Sequence, residues 1–194
     1  MAKVKMEWKE FYEYCEVLAD QILAFDPDVL IAIPRGGMTP AHVLGKMLNL
    51  PVGFYIPNHD DEGPDCMKNL TLPSGVYGMA GEKRHHKYAF VEDLIAEGRT
   101  YERVKKFMHS MKKIGAFNEK HPDTFDWTYN VVLVDAGYKG LFREGRDYSW
   151  DVPHGRIVHA CTSDDWVVFP WENFDAVVDG DRGLFREGTD EYGK

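Results

Sequence analysis

The chain has 194 residues, 44% of them hydrophobic and 28% charged, which is the make-up of a soluble globular protein with one well-filled core and at most a small appendage. A net charge of −9 argues against a general nucleic-acid binder, whose affinity would rest on Lys and Arg neutralising phosphates. Three cysteines without close spacing (Cys15, Cys66, Cys161) suit a reduced compartment, and neither a signal-peptide core nor a membrane-length apolar run is present, so a cytoplasmic protein with no membrane partner is expected.

Residues 7–25 place Trp8, Phe11, Tyr12, Cys15, Leu18, Ala19 and Ile22 at steps of three and four, one apolar helix face that Pro27 brings to an end. Val29 to Ile33 is a continuous β-type run, as expected for a strand covered on both faces. It closes in Pro34-Arg35-Gly36-Gly37, and residues 38–48 read as a helix. Strand, Gly-Gly turn and helix N-terminus form an anion-binding geometry, here with an Arg at its mouth. A planar guanidinium suits pyrophosphate because it donates two parallel, charge-assisted hydrogen bonds. Val52 to Ile56 is a third strand.

From Pro57 to Lys87 no period holds, and such a stretch inside a compact domain is usually a functional lid or disordered. Lys83-Arg84-His85-His86-Lys87 at its end offers cations to a nearby phosphate, with a solvated basic turn as the equal alternative. His85 and His86 with Asp60 and Asp61 make a poor metal site, because adjacent histidines point apart.

Tyr88 to Val91 is a short buried strand followed at once by Glu92 and Asp93. A turn carrying Gly98 comes next, and Thr100 opens a helix whose apolar positions are Val104, Phe107, Met108 and Met111. This is a second phosphate-cradling turn, with acids at the strand's end placed to hold Mg²⁺ or hydroxyls. The ten residues Val91-Glu92-Asp93-Leu94-Ile95-Ala96-Glu97-Gly98-Arg99-Thr100 resemble the phosphoribosyl-pyrophosphate (PRPP) motif of type I phosphoribosyltransferases, and Arg35-Gly36-Gly37 followed by Pro40-Ala41 resembles their pyrophosphate loop, where the peptide is often cis. The order and approximate spacing of the two loops also match that family.

Asn130 to Asp135 is the next buried strand. Strands alternating with helices, with both anion loops at one edge, argue an α/β fold: a doubly wound, mostly parallel sheet with its ligand at the strands' C-terminal ends. Residues 1–135 are expected to form the PRPP-binding core, with a flexible loop at about 58–87, and residues 136–194 a small hood. Within the hood, Trp166-Val167-Val168-Phe169-Pro170-Trp171-Glu172 resembles the purine-binding stretch of xanthine-guanine phosphoribosyltransferases. An indole offers a broad flat face to a purine, whereas core or interface packing is the commoner fate of tryptophan. The hexapeptide Gly-Leu-Phe-Arg-Glu-Gly occurs twice, at 140–145 and 183–188, and no physical account gives it a role.

The resemblance implies transfer of the 5-phosphoribosyl group from PRPP to a purine, with 6-oxopurines favoured, release of pyrophosphate, Mg²⁺ as cofactor and a homo-oligomer. It assigns Glu92 and Asp93 to the ribose hydroxyls and Mg²⁺, and Glu172 to a second Mg²⁺ through water. Arg35, Gly36 and Gly37 take the pyrophosphate, and Ala96, Glu97, Gly98, Arg99 and Thr100 cradle the 5′-phosphate. Trp166, Val167 and Asp135 lie at the base. Two positions depart from the family pattern. Ala96 stands where 6-oxopurine enzymes usually carry an Asp base, which leaves Glu97 as the candidate, and Asp135 stands near where many relatives carry a lysine. A non-catalytic PRPP-binding regulator, an adenine enzyme, and an unrelated α/β protein binding a phosphorylated ligand remain open alternatives.

Overall fold

Val29, Leu30, Ile31 and Ala32 are apolar at every position because both faces of their strand are covered; all four are fully buried. This strand sits third among six in the main sheet. A computed structural model describes residues 3–57, 68–73, 87–96, 98–113, 126–135, 155–163 and 165–172. Their elements are β1 (Lys3–Lys5), α1 (Trp8–Phe25), β2 (Val29–Ala32), α2 (Met38–Leu48), β3 (Val52–Tyr55), β4 (Leu70–Thr71), β5 (Lys87–Ile95), α3 (Arg99–Lys113), β6 (Asp126–Asp135), β7 (Gly155–Ser163), β8 (Trp166–Val168) and a 3₁₀ turn (Pro170–Glu172).

The main sheet runs β4-β3-β2-β5-β6-β7, every pair parallel except β3–β4. The order reverses between β2 and β5, so the connections leaving these two strands diverge and open a crevice at their C-terminal ends. A separate two-stranded parallel sheet pairs β1 with β8, Val4 opposite Val167. The doubly wound, mostly parallel fold expected from the sequence is therefore present.

Two apolar layers flank the sheet. On one face Phe11, Cys15, Leu18 and Ile22 of α1 and Ala41 and Leu44 of α2 pack on Leu30, Ala32, Ala89, Val91 and Leu133. The other face is aromatic: Tyr101, Val104, Phe107, Met108 and Met111 of α3 cover Tyr55, Phe90, Trp127 and Tyr129. Phe90 is its hub, meeting Tyr55, Phe107 and Trp127 edge-on at 5.9, 6.4 and 6.1 Å between centroids.

Several boundaries differ from the sequence expectation. Strand β5 does not stop at Val91; Glu92 pairs with Val131 and Leu94 with Leu133, so the two acids lie inside the ladder. Strand β6 starts at Asp126 rather than Asn130, and Trp127, Tyr129 and Val131 alternate inward on the aromatic face. The segment 136–194 contributes β7, a full strand of the main sheet, so the boundary at 135 separates two neighbouring strands. Trp8 and Tyr12, expected on the buried face of α1, are 45% and 44% exposed at its edge.

Lys87 also departs from expectation. It lies at the N-terminal end of β5, where its Nζ donates to Phe25 O at 3.1 Å and its N–H to the Asp28 carboxylate at 2.9 Å. It therefore ties α1 to the edge opposite the anion loops and is no pyrophosphate ligand. Residues 58–67 and 74–86, including Lys83, Arg84, His85, His86, Asp60 and Asp61, and both hexapeptides lie outside the described residues.

Truncating the aromatic hub leaves a cavity that its three edge-on ring neighbours cannot close. Phe90→Ala is expected to cost about 3–5 kcal/mol, read as a lowered urea midpoint at unchanged m-value.

Candidate active site

The turn after β2 is pressed onto β5. A methyl added at Gly37 would meet Val91 O at 2.1 Å and Ile33 O at 2.8 Å, so only glycine lets this backbone approach. A methyl at Gly36 would meet the two carboxylate oxygens of Asp93 at 2.1 and 2.2 Å. The Asp93 carboxylate thus lies directly against the Gly36 Cα. Gly37 N–H is taken by Ile33 O and Met38 N–H by Arg35 O, which closes the turn and starts α2. The Pro34–Arg35 peptide is cis, as the family resemblance implies. Arg35 is exposed at the mouth and has no acidic partner among the described residues.

The second turn follows β5. Gly98 has φ 69°, a conformation that disfavours any side chain, and its carbonyl accepts the Glu102 N–H that opens α3. First-turn N–H groups of a helix have no internal acceptor, so the Gly98–Thr100 backbone is suited to an anion. Both turns leave the strands that flank the reversal point of the sheet, and Asp93 lies against the first of them.

Glu92 and Asp93 were expected to work as a pair, but neighbours in a strand project to opposite faces. Asp93 faces Gly36 and the hood. Its Oδ1 accepts Leu94 N–H at 2.8 Å, and burial, reinforced by the charge of Glu172, pushes its carboxyl up to about 6. Glu92 accepts from the Tyr129 hydroxyl on the aromatic face of the sheet, with Thr100 of α3 acting to lower its carboxyl. Burial pushes it up to about 8 despite both, with Asp93 adding to the rise. Tyr129 was missed in the sequence. The alternation Trp127, Tyr129, Val131 was the signal that would have placed it beside Glu92.

In the hood, one Glu172 carboxylate oxygen accepts Phe169 N–H at 3.0 Å while Glu172 N–H returns to Phe169 O at 2.9 Å. The 3₁₀ turn is thereby locked with its acid near Asp93. Trp171 stacks on Phe169 and meets Phe11 edge-on at 4.7 and 4.9 Å between centroids, so this indole docks the hood on α1. The Val167 side chain is buried in the same cluster. Met6 N–H bonds Val168 O, and in a parallel ladder this directs Trp166 and Val168 carbonyls toward β1. The N–H and C=O of Val167 consequently point to the opposite edge of β8. Glu97 and the side chains of Trp166 and Asp135 lie outside the described residues.

Mg²⁺ suits this donor set. It binds through one or two carboxylates, completing its shell with water and phosphate oxygens. Asp93 and Glu172 are like charges close enough to raise the Asp93 carboxyl, which a cation between them would relieve. Among the described residues no three His, Cys, Asp or Glu side chains group as a dedicated metal cage.

Two outcomes follow from this geometry. Gly36→Ala must displace the Asp93 carboxylate and is expected to cost about 1–3 kcal/mol in urea unfolding. Both acids have raised values, so the folded protein keeps these protons longer than the unfolded chain. Their stabilisation is complete at low pH and is lost as pH rises through about 6 for Asp93 and about 8 for Glu92. The ligand-free protein should therefore lose stability toward alkaline pH, at up to about 1.4 kcal/mol per pH unit for each proton. Glu92→Gln should flatten the upper part of that curve, between about 6 and about 8.

No protein-family model matches the sequence. Solved structures do resemble it. A purine phosphoribosyltransferase from Pyrococcus horikoshii is 22% identical over 90% of this chain and 96% of its own, with a TM-score of 0.52. A xanthine-guanine-hypoxanthine phosphoribosyltransferase from Helicobacter pylori is 17% identical over 90% and 97%, at 0.52. A hypothetical protein from Neisseria gonorrhoeae with bound ppGpp is 17% identical over 89% and 90%, at 0.53. With its strand order, its two glycine turns and these neighbours, the chain has the fold of the type I phosphoribosyltransferases.

Proposed function

We propose that the protein is a purine phosphoribosyltransferase that moves the 5-phosphoribosyl group of PRPP to a base, with 6-oxopurines favoured. The observation that carries this reading is the Asp93 carboxylate against Gly36, with a glycine turn leaving each of the two strands at the reversal point of the sheet. A pyrophosphate on one side of a ribose and a 5′-phosphate on the other need two such turns with a carboxylate between them.

A base nitrogen forms a bond to C1 of the ribose while the bond from C1 to the pyrophosphate oxygen breaks. The bonding electrons leave with pyrophosphate, and the base gives up its N–H proton. Positive charge gathers on the ribose, so catalysis is largely positioning and electrostatic. Arg35 and the Gly36 backbone hold the pyrophosphate, and the backbone at Gly98, Arg99 and Thr100 holds the 5′-phosphate. Asp93 holds the ribose hydroxyls. Asp93, and Glu172 through water, would hold Mg²⁺, which would supply charge neutralisation on the leaving group. Trp166 stacks on the base while Val167 offers it a backbone donor and acceptor, and Glu97 is the candidate base for the departing proton. The Neisseria gonorrhoeae chain of this fold, solved with ppGpp, supports a site that accepts guanine together with phosphate groups.

Guanine, xanthine, hypoxanthine and adenine should be offered separately with PRPP and Mg²⁺ while pyrophosphate release is followed. Turnover on a 6-oxopurine is expected, lowered at least roughly 100-fold by Asp93→Asn. PRPP binding without turnover on any base would favour a regulator on the same fold. Absence of PRPP binding would overturn both.

A further inference from the structure

We propose that Trp8 is a positioning residue for the base-binding hood, acting with strand β1 to fix where Val167 presents its N–H and C=O. This rests on the phosphoribosyltransferase reading above and assigns base recognition, as distinct from PRPP recognition, to the start of the chain.

Strands β1 and β8 form a sheet of only two strands, each three residues long. A ribbon of that size is marginal in water unless another element packs on it. Along one edge its ladder is complete: Met6 N–H reaches Val168 O at 3.0 Å, and the register of Val4 on Val167 places the Val4 N–H at the Trp166 carbonyl. Held by that edge alone, β8 could still swing about β1. The outward N–H and C=O of Val167 would swing with it.

A group of rings stops the swing. Trp171 lies face to face with Phe169 at 4.7 Å between centroids, meets Phe11 edge-on at 4.9 Å, and meets Trp8 at 6.2 Å. Phe11 and Phe169 are core residues, whereas Trp8 is exposed and is the outermost ring around Trp171. Its indole also meets Phe11 edge-on at 5.8 Å, so it braces Trp171 from the solvent side. Met6 and Glu7 alone separate β1 from α1, and Glu7 O already accepts the Phe11 N–H. Ladder and rings therefore belong to one short stretch, residues 3–11, which grips β8 by its edge and, through Trp171 and Phe169, beyond its end. None of these contacts involves the turns at Gly36 and Gly98.

The test is steady-state kinetics of the full chain with Mg²⁺ and the base that the wild type turns over best, with KM measured separately for base and for PRPP. Trp8→Ala is expected to raise the KM of the base roughly tenfold, the size of one lost hydrogen bond at the base edge. The KM of PRPP should stay within about twofold and kcat within about threefold, because only base binding is loosened. Trp8→Phe restores a ring against Trp171 and should stay within about threefold of the wild type. Val4→Pro removes the ladder N–H and leaves the rings in place, and it should raise the base KM in the same way. Val4→Ala keeps that N–H and should not. Trp8 and Val4 are both exposed, so neither change opens the core, and circular dichroism melts check that each variant is folded at the assay temperature. The Val4 pair carries the test if Trp8→Ala melts below that temperature.

An unchanged base KM in either folded variant, Trp8→Ala or Val4→Pro, would overturn the positioning role. So would a parallel rise in the KM of base and of PRPP, which is what a general loosening of the fold produces. A wild-type protein that turns over no base with PRPP would instead overturn the reading on which this role rests.

Discussion

The structure depends on one close approach: the backbone of Gly36 and Gly37 against the end of β5. Two glycines in succession let the turn after β2 settle onto the Val91 carbonyl and the Asp93 carboxylate, where a side chain would overlap fixed backbone at Gly37 and push the carboxylate aside at Gly36. That contact joins the two strands at which the sheet order reverses. It also fixes where α2 begins, since Gly37 N–H and Met38 N–H are both consumed inside the turn. The crevice is therefore referenced to a contact made by glycine backbone, the Val91 carbonyl and one carboxylate.

The electrostatics follow from that packing. A chain of net charge −9 places Glu92, Asp93 and Glu172 near a crevice that, on the proposed reading, binds a highly anionic substrate. Burial raises Asp93 and Glu92 to about 6 and about 8, which reduces the negative charge the ligand-free site must carry. Arg35 is held outside this cluster, exposed at the mouth of its turn. On the proposed reading, a divalent cation bound together with the phosphorylated ligand would supply positive charge beside Asp93. Acidic composition and phosphate recognition are in this way compatible.

Much of this was legible in the sequence, for reasons that differ by element. Strand β2 and helices α1 and α2 were evident because burial on both faces, or on one stripe, writes itself as continuous or periodic apolarity. Both glycine turns were legible because close backbone approach demands glycine. What escaped was long-range. Strand β7, Gly-Arg-Ile-Val-His-Ala-Cys-Thr-Ser, carries an exposed His159 and a half-buried Ala160 and Cys161 at the sheet's edge, so its apolar signal is diluted. The extension of β5 through Glu92 and Asp93 was hidden because charged residues ordinarily end a buried strand; here Tyr129 and Gly36, distant in sequence, make room for them. Lys87 was read with its basic neighbours, whereas its partners Phe25 and Asp28 lie some sixty positions away.

The hood shows the same dependence on distant pairing, and with it a consequence for base choice. Val167 buries its side chain toward α1 and turns its N–H and C=O away from β1. On the proposed reading the base edge is met by a main-chain donor and acceptor, which every residue but proline supplies equally. Discrimination by such a group rests on where the strand lies rather than on which residue occupies it. Its position is set by the register of β8 on Lys3–Lys5, by the Phe169–Trp171–Phe11 stack, and by the Glu172 carboxylate that closes the turn beyond it. On that reading the N-terminal strand, far in sequence from both glycine turns, helps set where the base edge is met.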